Sequence, residues 1–397
     1  MKPPHPDLAI VIPAWNEREN LELLLPALKE TVQKLGINAE IVVADAGSKD
    51  GTREAVEQRG CRVVIQRERG YGGALLAGFE ATTAPYVITM DADLSHRPVF
   101  IEDLWNHRND AEMLIASRYV PDGHADMERL RSVLSKILNR TYRRILSLPF
   151  RDLSSGYRMY RRDVLTQLTV KSRDFDALEE ILVRTFAAGW RIQEIPFRYM
   201  ARGSGSSHAR LVKFGWALLK TLVRMWQLRN SIESADYDYR AFDSIIWLQR
   251  YWQRTRHRII LEFVKGHNDI LDIGCGSSRI LVDLPAAVGL DILHNKLRWL
   301  RPLHPKVVRA VCQQLPFAAD SFSAVINSEV IEHIPDTPDI FSEMRRVLRP
   351  GGTLVLGTPD YSRVSWLVLE RIYGKVHPGG YAEEHITHYT HGVSGVV

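Results

Sequence analysis

At 397 residues, 45% apolar and 25% charged, the chain has the composition of a soluble globular protein too long for one core, so two domains are expected. A formal charge of +5 suits anionic partners such as nucleotides, phospholipids or nucleic acid without choosing among them. Three scattered cysteines exclude a disulfide framework and suit a reducing cytoplasm, while the lack of a signal-like core or a run of about 18 apolar residues leaves only peripheral membrane contact.

Leu8 to Trp15 reads as a buried strand, and Asn16 to Asn20 opens a helix running through Leu21 to Leu35. A second strand, Glu40 to Ala44, closes in Asp45-Ala-Gly-Ser-Lys-Asp-Gly-Thr52, whose small residues fit a tight turn. A third strand, Arg62 to Gln66, leads to Gly70-Tyr-Gly-Gly73 and a helix over Ala74 to Ala81. The fourth, starting at Tyr86, runs into Asp91 and Asp93, which at period two leave the strand end on one side. Two carboxylates aimed together repel unless a cation lies between them, and hard oxygen ligands suit Mg²⁺ or Mn²⁺. A lone Asp-x-Asp is equally well a strand followed by an acidic turn. Strands alternating with helices predict a parallel, doubly wound sheet with ligands beyond its carboxyl ends.

Val11-Ile-Pro-Ala-Trp-Asn-Glu17, Asp45 to Thr52, Arg69 to Ala74, Met90-Asp-Ala-Asp-Leu-Ser-His96, Arg131 to Ser135, Arg151 to Arg158, Gly189 to Pro196 and Arg202 to Ser207 occur in that order. Together they resemble the signatures of inverting nucleotide-sugar glycosyltransferases, in the branch typified by dolichyl-phosphate mannose synthase. The resemblance spans residues 8 to about 228 and implies a GT-A fold, Rossmann-like with a mostly parallel sheet. It implies that Pro13, Ala14, Glu17 and Asp45 line the nucleotide pocket and that Asp91 and Asp93 bind metal and diphosphate. Arg118, Arg131, Ser135 and Arg202 are implied on the acceptor side or over the phosphates. The chain departs from the family at Ala46, where paired acids are usual, and at His208, where the family has lysine. The implied activity is transfer of a mannose- or glucose-type sugar, as from GDP-mannose, to a polyprenyl or dolichyl phosphate. Transfer to a soluble hydroxyl and a non-catalytic nucleotide-sugar- or S-adenosylmethionine-binding scaffold are the alternatives.

An ionised lipid phosphate needs cations to hold it more than a base, and Arg129 to Arg144 carries six of them, with Arg131 and Ser135 one helical turn apart. In Arg210 to Asn230, helical spacing puts Arg210, Lys213, Lys220 and Arg224 on one stripe. Leu211, Phe214, Leu218, Leu222, Met225 and Trp226 fall opposite them. Residues 210–230 therefore read either as an interfacial helix on the membrane surface, at its cytoplasmic face, or as a helix packed on its own domain.

The expected domains are a glycosyltransferase over 1–230, a linker over 231–250 and a second domain over 251–397. The aromatic and arginine-rich helix around Trp247 reads as docking on a neighbour, with no nucleic acid implied. Asp269-Ile-Leu-Asp-Ile-Gly-Cys-Gly-Ser277 is a strand ending in a glycine loop, with Asp291 closing the next strand. Arg279 replaces the third glycine of a dinucleotide fingerprint, so a ligand with a ribose and no diphosphate fits better. Gln314 to Phe317, Ser321 to His333 and Glu343 to Leu356 continue a resemblance to class I methyltransferases. That implies a Rossmann-like domain in which Asp272, Gly274 and Gly276 surround the methionine part of S-adenosylmethionine and Asp291 binds its ribose. Val311 or Cys312 stands where the family places an acid for the adenine amine. Five strands are countable where the family has seven, so the domain is expected to lack its last strands. A shortened domain, a partner protein that completes the sheet and a degenerate domain all stay open.

Overall fold

The computed structural model describes residues 5–126, 129–200, 211–335 and 338–359. They group into two compact units that change over between Trp226 and Gln227, with Ala187–Gly189 grouped with the second.

In the first unit the strands are β1 (Leu8–Ala14), β2 (Ala39–Asp45), β3 (Arg62–Ile65), β4 (Tyr86–Thr89), β5 (Met113–Ser117), β6 (His124–Ala125), β7 (Arg158–Arg161), β8 (Ile192–Pro196) and β9 (Arg198–Tyr199). Its helices are α1 (Arg18–Lys34), α2 (Thr52–Gln58), α3 (Tyr71–Ala81), α4 (Ile101–Asn106), α5 (Arg129–Ile145), α6 (Arg162–Thr166), α7 (Ala177–Ala187) and α8 (Leu211–Arg229). The main sheet has the order β3-β2-β1-β4-β7-β5-β8, parallel except where β7 runs against both neighbours. β6 pairs with β9 in a small second sheet.

β1 takes the centre because Leu-Ala-Ile-Val-Ile is apolar on both faces, and all five residues are fully buried. Leu8, Ile10 and Ile12 share a core cluster with Leu21, Leu24, Leu25 and Leu28 of α1, whose spacing makes one helical stripe. Each such fully buried side chain contributes roughly 1.5–3 kcal/mol.

The second unit contains α9 (Tyr237–Ala241), α10 (Trp247–Phe263), β10 (Ile270–Ile273), α11 (Arg279–Asp283), β11 (Val288–Asp291), α12 (His294–Leu300), β12 (Val307–Arg309), β13 (Phe322–Ser328), α13 (Pro338–Val347) and β14 (Leu348–Gly357). Among its described residues the five strands are all parallel, in the order β12-β11-β10-β13-β14. One core cluster joins the sheet to α10, α11 and α12, and another joins its other face to α13, so helices cover both sides. Among the described residues, β14 pairs with β13 alone and forms one edge.

The stretch 231–250 carries structure of its own rather than running free. Arg229 is fully buried and forks onto Asp236, donating also to Ser234, while Asp238 of α9 reaches the glycine loop after β10. On α10, Trp247, Tyr251 and Phe263 stay exposed.

Removing one partner of a buried ion pair strands the other charge in low dielectric. Asp236→Ala is therefore expected to destabilise the full chain by about 3–5 kcal/mol, measured by urea unfolding. A loss of well under 1 kcal/mol would show that water screens the pair.

Candidate active site

Three neighbouring parallel strands, β2, β1 and β4, deliver the nucleotide-side residues to one edge of the sheet. Register places Pro13 beside Ala44 and Ala14 beside Asp45, and Met90 donates its N–H to Val11. Asp45 is fully buried at the strand end, accepting from the N–H of Gly47 and Ser48 and from Arg53 Nε at 2.6 Å. Burial pushes its carboxyl up, but the hydrogen bonds from Ser48, Arg53 and Gly47 outweigh that and hold it below the usual range. The Glu17 N–H donates to Thr52, Asn16 exchanges hydrogen bonds with Ser48 and Lys49, and Arg18 N–H donates to Asp50. The β1–α1 and β2–α2 loops are thereby stitched into one rim.

Asp91 and Asp93 follow β4 in a turn that puts Leu94 at φ 65, a conformation costly for a side chain with Cβ. Asp91 Oδ1 accepts from Tyr71 Oη at 2.9 Å, and Asp93 accepts from the N–H and hydroxyl of Ser95. The Asp91 N–H donates to His96 Nδ1 at 2.9 Å. A backbone amide can only donate, so that nitrogen carries no proton and Nε2 does, 3.8 Å from Asp91 Oδ2. A Cβ on Gly156 would lie 2.6 Å from Tyr71 Oη and 3.2 Å from Asp91 Oδ1, so only glycine leaves this cradle open. No group of three His, Cys, Asp or Glu gathers as a metal cage among the described residues. Two carboxylates with the remaining positions left to water and phosphate are the donor set that suits Mg²⁺ or Mn²⁺.

On the implied acceptor side, Arg118 turns its fork onto Asp152, with Nε and Nη2 at 2.8 and 2.7 Å, and Nη2 also donates to Ser154. Asn139 donates to Ser154 and to Ser135, whose hydroxyl also accepts from Tyr119 Oη at 2.8 Å. Arg118 and Ser135 thus belong to one hydrogen-bonded ring. It opens onto a cavity of about 860 Å³ whose wall includes Lys136, Arg140, Arg143, Arg144 and Arg151 and no carboxylate. Arg131 lies in α5, its side chain outside the described ones, and Arg202 lies outside the described residues with His208.

In the second unit, strand order reverses between β10 and β13, and a crevice at such a point is where ligands of open α/β sheets sit. Asp291 accepts from the N–H of Gly276 and Leu293, both at 2.7 Å. Asp272 Oδ2 and both amide atoms of Asn327 are buried without a hydrogen-bond partner among the described residues. Burial pushes Asp272 up to about 7, with Asp291 adding to it and Arg256 opposing. Burial together with Glu329 pushes Glu332 up to about 8. Gly274 and Gly276 both hold positive φ in the loop, and Asp238 sits on that loop, taking Ser277 N–H, Ser277 Oγ and the buried Lys296 Nζ. Val311 is exposed and Cys312 buried, and neither carries a carboxylate.

Residues 9–169 match the family described as "Glycosyl transferase family 2", and residues 271–356 match "Methyltransferase domain". A polyprenol monophosphomannose synthase of Mycolicibacterium smegmatis is 31% identical over 241 residues, which cover 57% of this chain and 89% of that protein. The chain belongs to glycosyltransferase family 2. A dolichol-phosphate mannosyltransferase of Pyrococcus furiosus is also 31% identical, over 57% of this chain and 65% of its own length. A glucosyl-3-phosphoglycerate synthase structure from Mycobacterium tuberculosis aligns over 56% of this chain and 78% of its own, at 21% identity and a TM-score of 0.46.

Within the glycosyltransferase unit, sequence reading passed over Tyr71, His96, Asp152 and Asn139, all of which contact expected site residues. Tyr71 sits inside the Gly70-Tyr-Gly-Gly73 signature and Asp152 inside Arg151 to Arg158, so the signals lay beside the residues singled out. In the methyltransferase unit Asp238 was missed, since it precedes the family match by more than a helix.

The raised Asp272 and Glu332 fix a sign for the second unit. Folded, these groups hold protons that the unfolded chain has released, so stability rises as pH falls from about 8 toward about 4. Calorimetric melting of the full chain between pH 8 and 5 is expected to show this rise. Asp272→Asn should flatten it; an unchanged slope would mean that Asp272 is solvated.

Proposed function

We propose that the chain moves a mannose- or glucose-type sugar, as from GDP-mannose, to a polyprenyl or dolichyl phosphate with inversion at the anomeric carbon. Family membership and the names of both 31%-identical relatives support the reaction class. The residues support it separately. Pro13, Ala14, Glu17 and Asp45 form the rim for the nucleotide, and Asp91 and Asp93 would hold Mg²⁺ or Mn²⁺ against its diphosphate. Such a cation, when bound, offsets the charge of the departing nucleoside diphosphate.

Tyr71 holds the Asp91 carboxylate and His96 accepts from the Asp91 backbone N–H, so that little reorganisation is left for the reacting state. Asp152 holds Arg118 in place, and the ring through Ser154, Asn139 and Ser135 fixes the wall against which the acceptor phosphate rests, the phosphate to which the family resemblance also assigns Arg131 and Arg202. The cation-lined cavity without a carboxylate favours a phosphate over a hydroxyl acceptor, because a phosphate arrives ionised and a hydroxyl needs a base. An acceptor of this kind keeps the enzyme at a membrane surface, at the cytoplasmic face. Among the described residues, no helix is long and apolar enough to cross a membrane.

For the second unit we propose S-adenosylmethionine binding in the β10–β13 crevice. Asp272, Gly274 and Gly276 would surround its cationic methionine part and Asp291 its ribose hydroxyls. The unpartnered Asp272 oxygen and the acidic lining suit a ligand that brings positive charge.

The test is a panel of labelled nucleotide sugars with polyprenyl phosphate and Mg²⁺ or Mn²⁺, followed by organic extraction. Label is expected in the lipid phase with one donor and absent after chelation. Asp93→Ala is expected to lower transfer at least on the order of 100-fold with an unchanged circular dichroism spectrum. Label that never enters the lipid phase, or transfer that survives chelators, would overturn the assignment.

A further inference from the structure

A transferred sugar lies between the diphosphate it leaves and the oxygen that attacks it. On the main sheet, in the order β2-β1-β4-β7-β5, the nucleotide rim ends β1 and β2, Asp91 follows β4, and Arg118 follows β5 on the far side of β7. The carboxyl edge between Asp91 and Arg118 is taken by Gly156, whose carbonyl accepts from Thr89 Oγ1 at 2.7 Å just ahead of β7. Tyr71 Oη sits where a Cβ on that glycine would lie 2.6 Å away. Tyr71 therefore meets Asp91 on the side of the acceptor wall, away from the rim around Asp45.

The segment 172–176, which leads into α7, closes over the first turn of α3 at this point. Gly73 N–H donates to the Arg173 carbonyl at 3.1 Å, a Cβ on Gly70 would clash with that same oxygen, and one on Gly72 would lie 2.6 Å from Ala177 Cβ. The glycines of Gly70-Tyr-Gly-Gly73 thus admit this segment. It is anchored from behind as well. Ser172 N–H donates to Glu180 Oε2 at 2.7 Å, Arg173 pairs with Glu68, and Arg224 of α8, expected on an outward basic stripe, turns in to donate to Ser172 Oγ at 2.8 Å.

What the anchoring holds in place is Phe175. Its ring stacks on Tyr71 with centroids 4.7 Å apart and planes at 17°, and Tyr71 Oη donates to Asp91 Oδ1 at 2.9 Å. Of the rings gathered near the acids, His96, Tyr157 and Phe197 are buried, whereas Phe175 is 42% exposed. A ring already ordered by its neighbours loses little further freedom when a ligand covers it. A pyranose suits such a ring, because it lays down a face of C–H groups while the hydroxyls at its rim keep their hydrogen bonds. Nucleobases also stack on aromatic rings, but the base end of the donor belongs to the rim on β1 and β2, on the other side of β4.

We propose that Phe175, backed by Tyr71, is the platform for the transferred hexose, covering one apolar face of the sugar beside the acids that serve the diphosphate. The proposal rests on the transferase reading and deepens it by giving the sugar a contact of its own.

The experiment is calorimetric titration of the full chain with GDP-mannose against GDP and with UDP-glucose against UDP, each with Mn²⁺ and without acceptor. Phe175→Ala is expected to weaken the sugar nucleotide that the wild type binds on the order of 10-fold and to leave the matching nucleoside diphosphate unchanged. Phe175→Tyr, which keeps the ring, should restore the sugar nucleotide. Phe175→Leu, which keeps apolar volume without a flat face, should show the same split as alanine, and carries the test should the alanine variant melt early. Equal loss for sugar nucleotide and nucleoside diphosphate would mean that the ring serves the base or only steadies Asp91. That result, no loss for either ligand, or a tyrosine variant as weak as the alanine one would overturn the proposal. A wild-type chain that binds neither GDP-mannose nor UDP-glucose would overturn the transferase reading, and with it the proposal built on it.

Discussion

Carboxylates gathered at the carboxyl ends of parallel strands are the constraint to which both units answer. Parallel pairing makes strand ends converge, and the residues that follow them share one edge. Acids placed there face each other in a partly dry environment, where each bare charge is costly. The first unit meets this with donors. Asp45 takes two backbone amides and Arg53, Asp91 takes Tyr71, and Asp93 takes Ser95. The second unit does so less completely. Asp291 takes two amides, but Asp272 keeps an oxygen without a partner, and burial raises Asp272, Glu329 and Glu332 together. An edge whose acids already have donors is set for a ligand that brings its own anion and a counter-cation. One whose acids lack donors is set for a cationic ligand.

Arginines divide in the same way between those that are used up and those left open. Arg118 spends its fork on Asp152, and its ordering passes through Ser154 and Asn139 to Ser135. Breaking a buried pair of this kind strands the remaining charge. The Arg118–Asp152 contact therefore reads as fixing shape at the cavity mouth, whereas the row on α5 supplies the charge.

Much of this was legible in the sequence because the signals were local. Continuous apolar runs marked β1 and β10, and turn residues closed β2 at Asp45, whereas β4 ends at Thr89, so that a turn and not strand alternation carries Asp91 and Asp93. The five strands of the second unit appear where counting put them. What stayed hidden depends on contacts between distant residues: Tyr71 to Asp91 spans 20 positions, Arg118 to Asp152 spans 34, and Ser277 to Asp238 spans 39. On α8, Leu218 and Met225 of the expected apolar face are buried, as packing on its own unit requires, and Lys220 stays out, while Arg224 of the expected basic stripe turns in to Glu180 and Ser172, contacts made only in the folded unit. A charged side chain within reach of buried acceptors lowers its free energy by turning in beside them.

Three rows of α5, inward Ser135, Asn139 and Tyr142, cationic Lys136, Arg140 and Arg144, and exposed apolar Val133, Ile137 and Ile145, show how little sequence a composite surface requires. At about 100° per residue, rows one residue apart face different sides of the helix, so buried, cationic and apolar surfaces fit on 17 residues. The same geometry makes the arrangement brittle to insertion and tolerant of exchange. Lys136, Arg140 and Arg144 are exposed on the cavity wall, where one cation can replace another. The Ser135–Asn139 pair is bound to its exact neighbours by directional hydrogen bonds. One added residue before Ser135 would turn every following row by one position, move the cation row into the apolar row's place, and break the ring that holds Arg118.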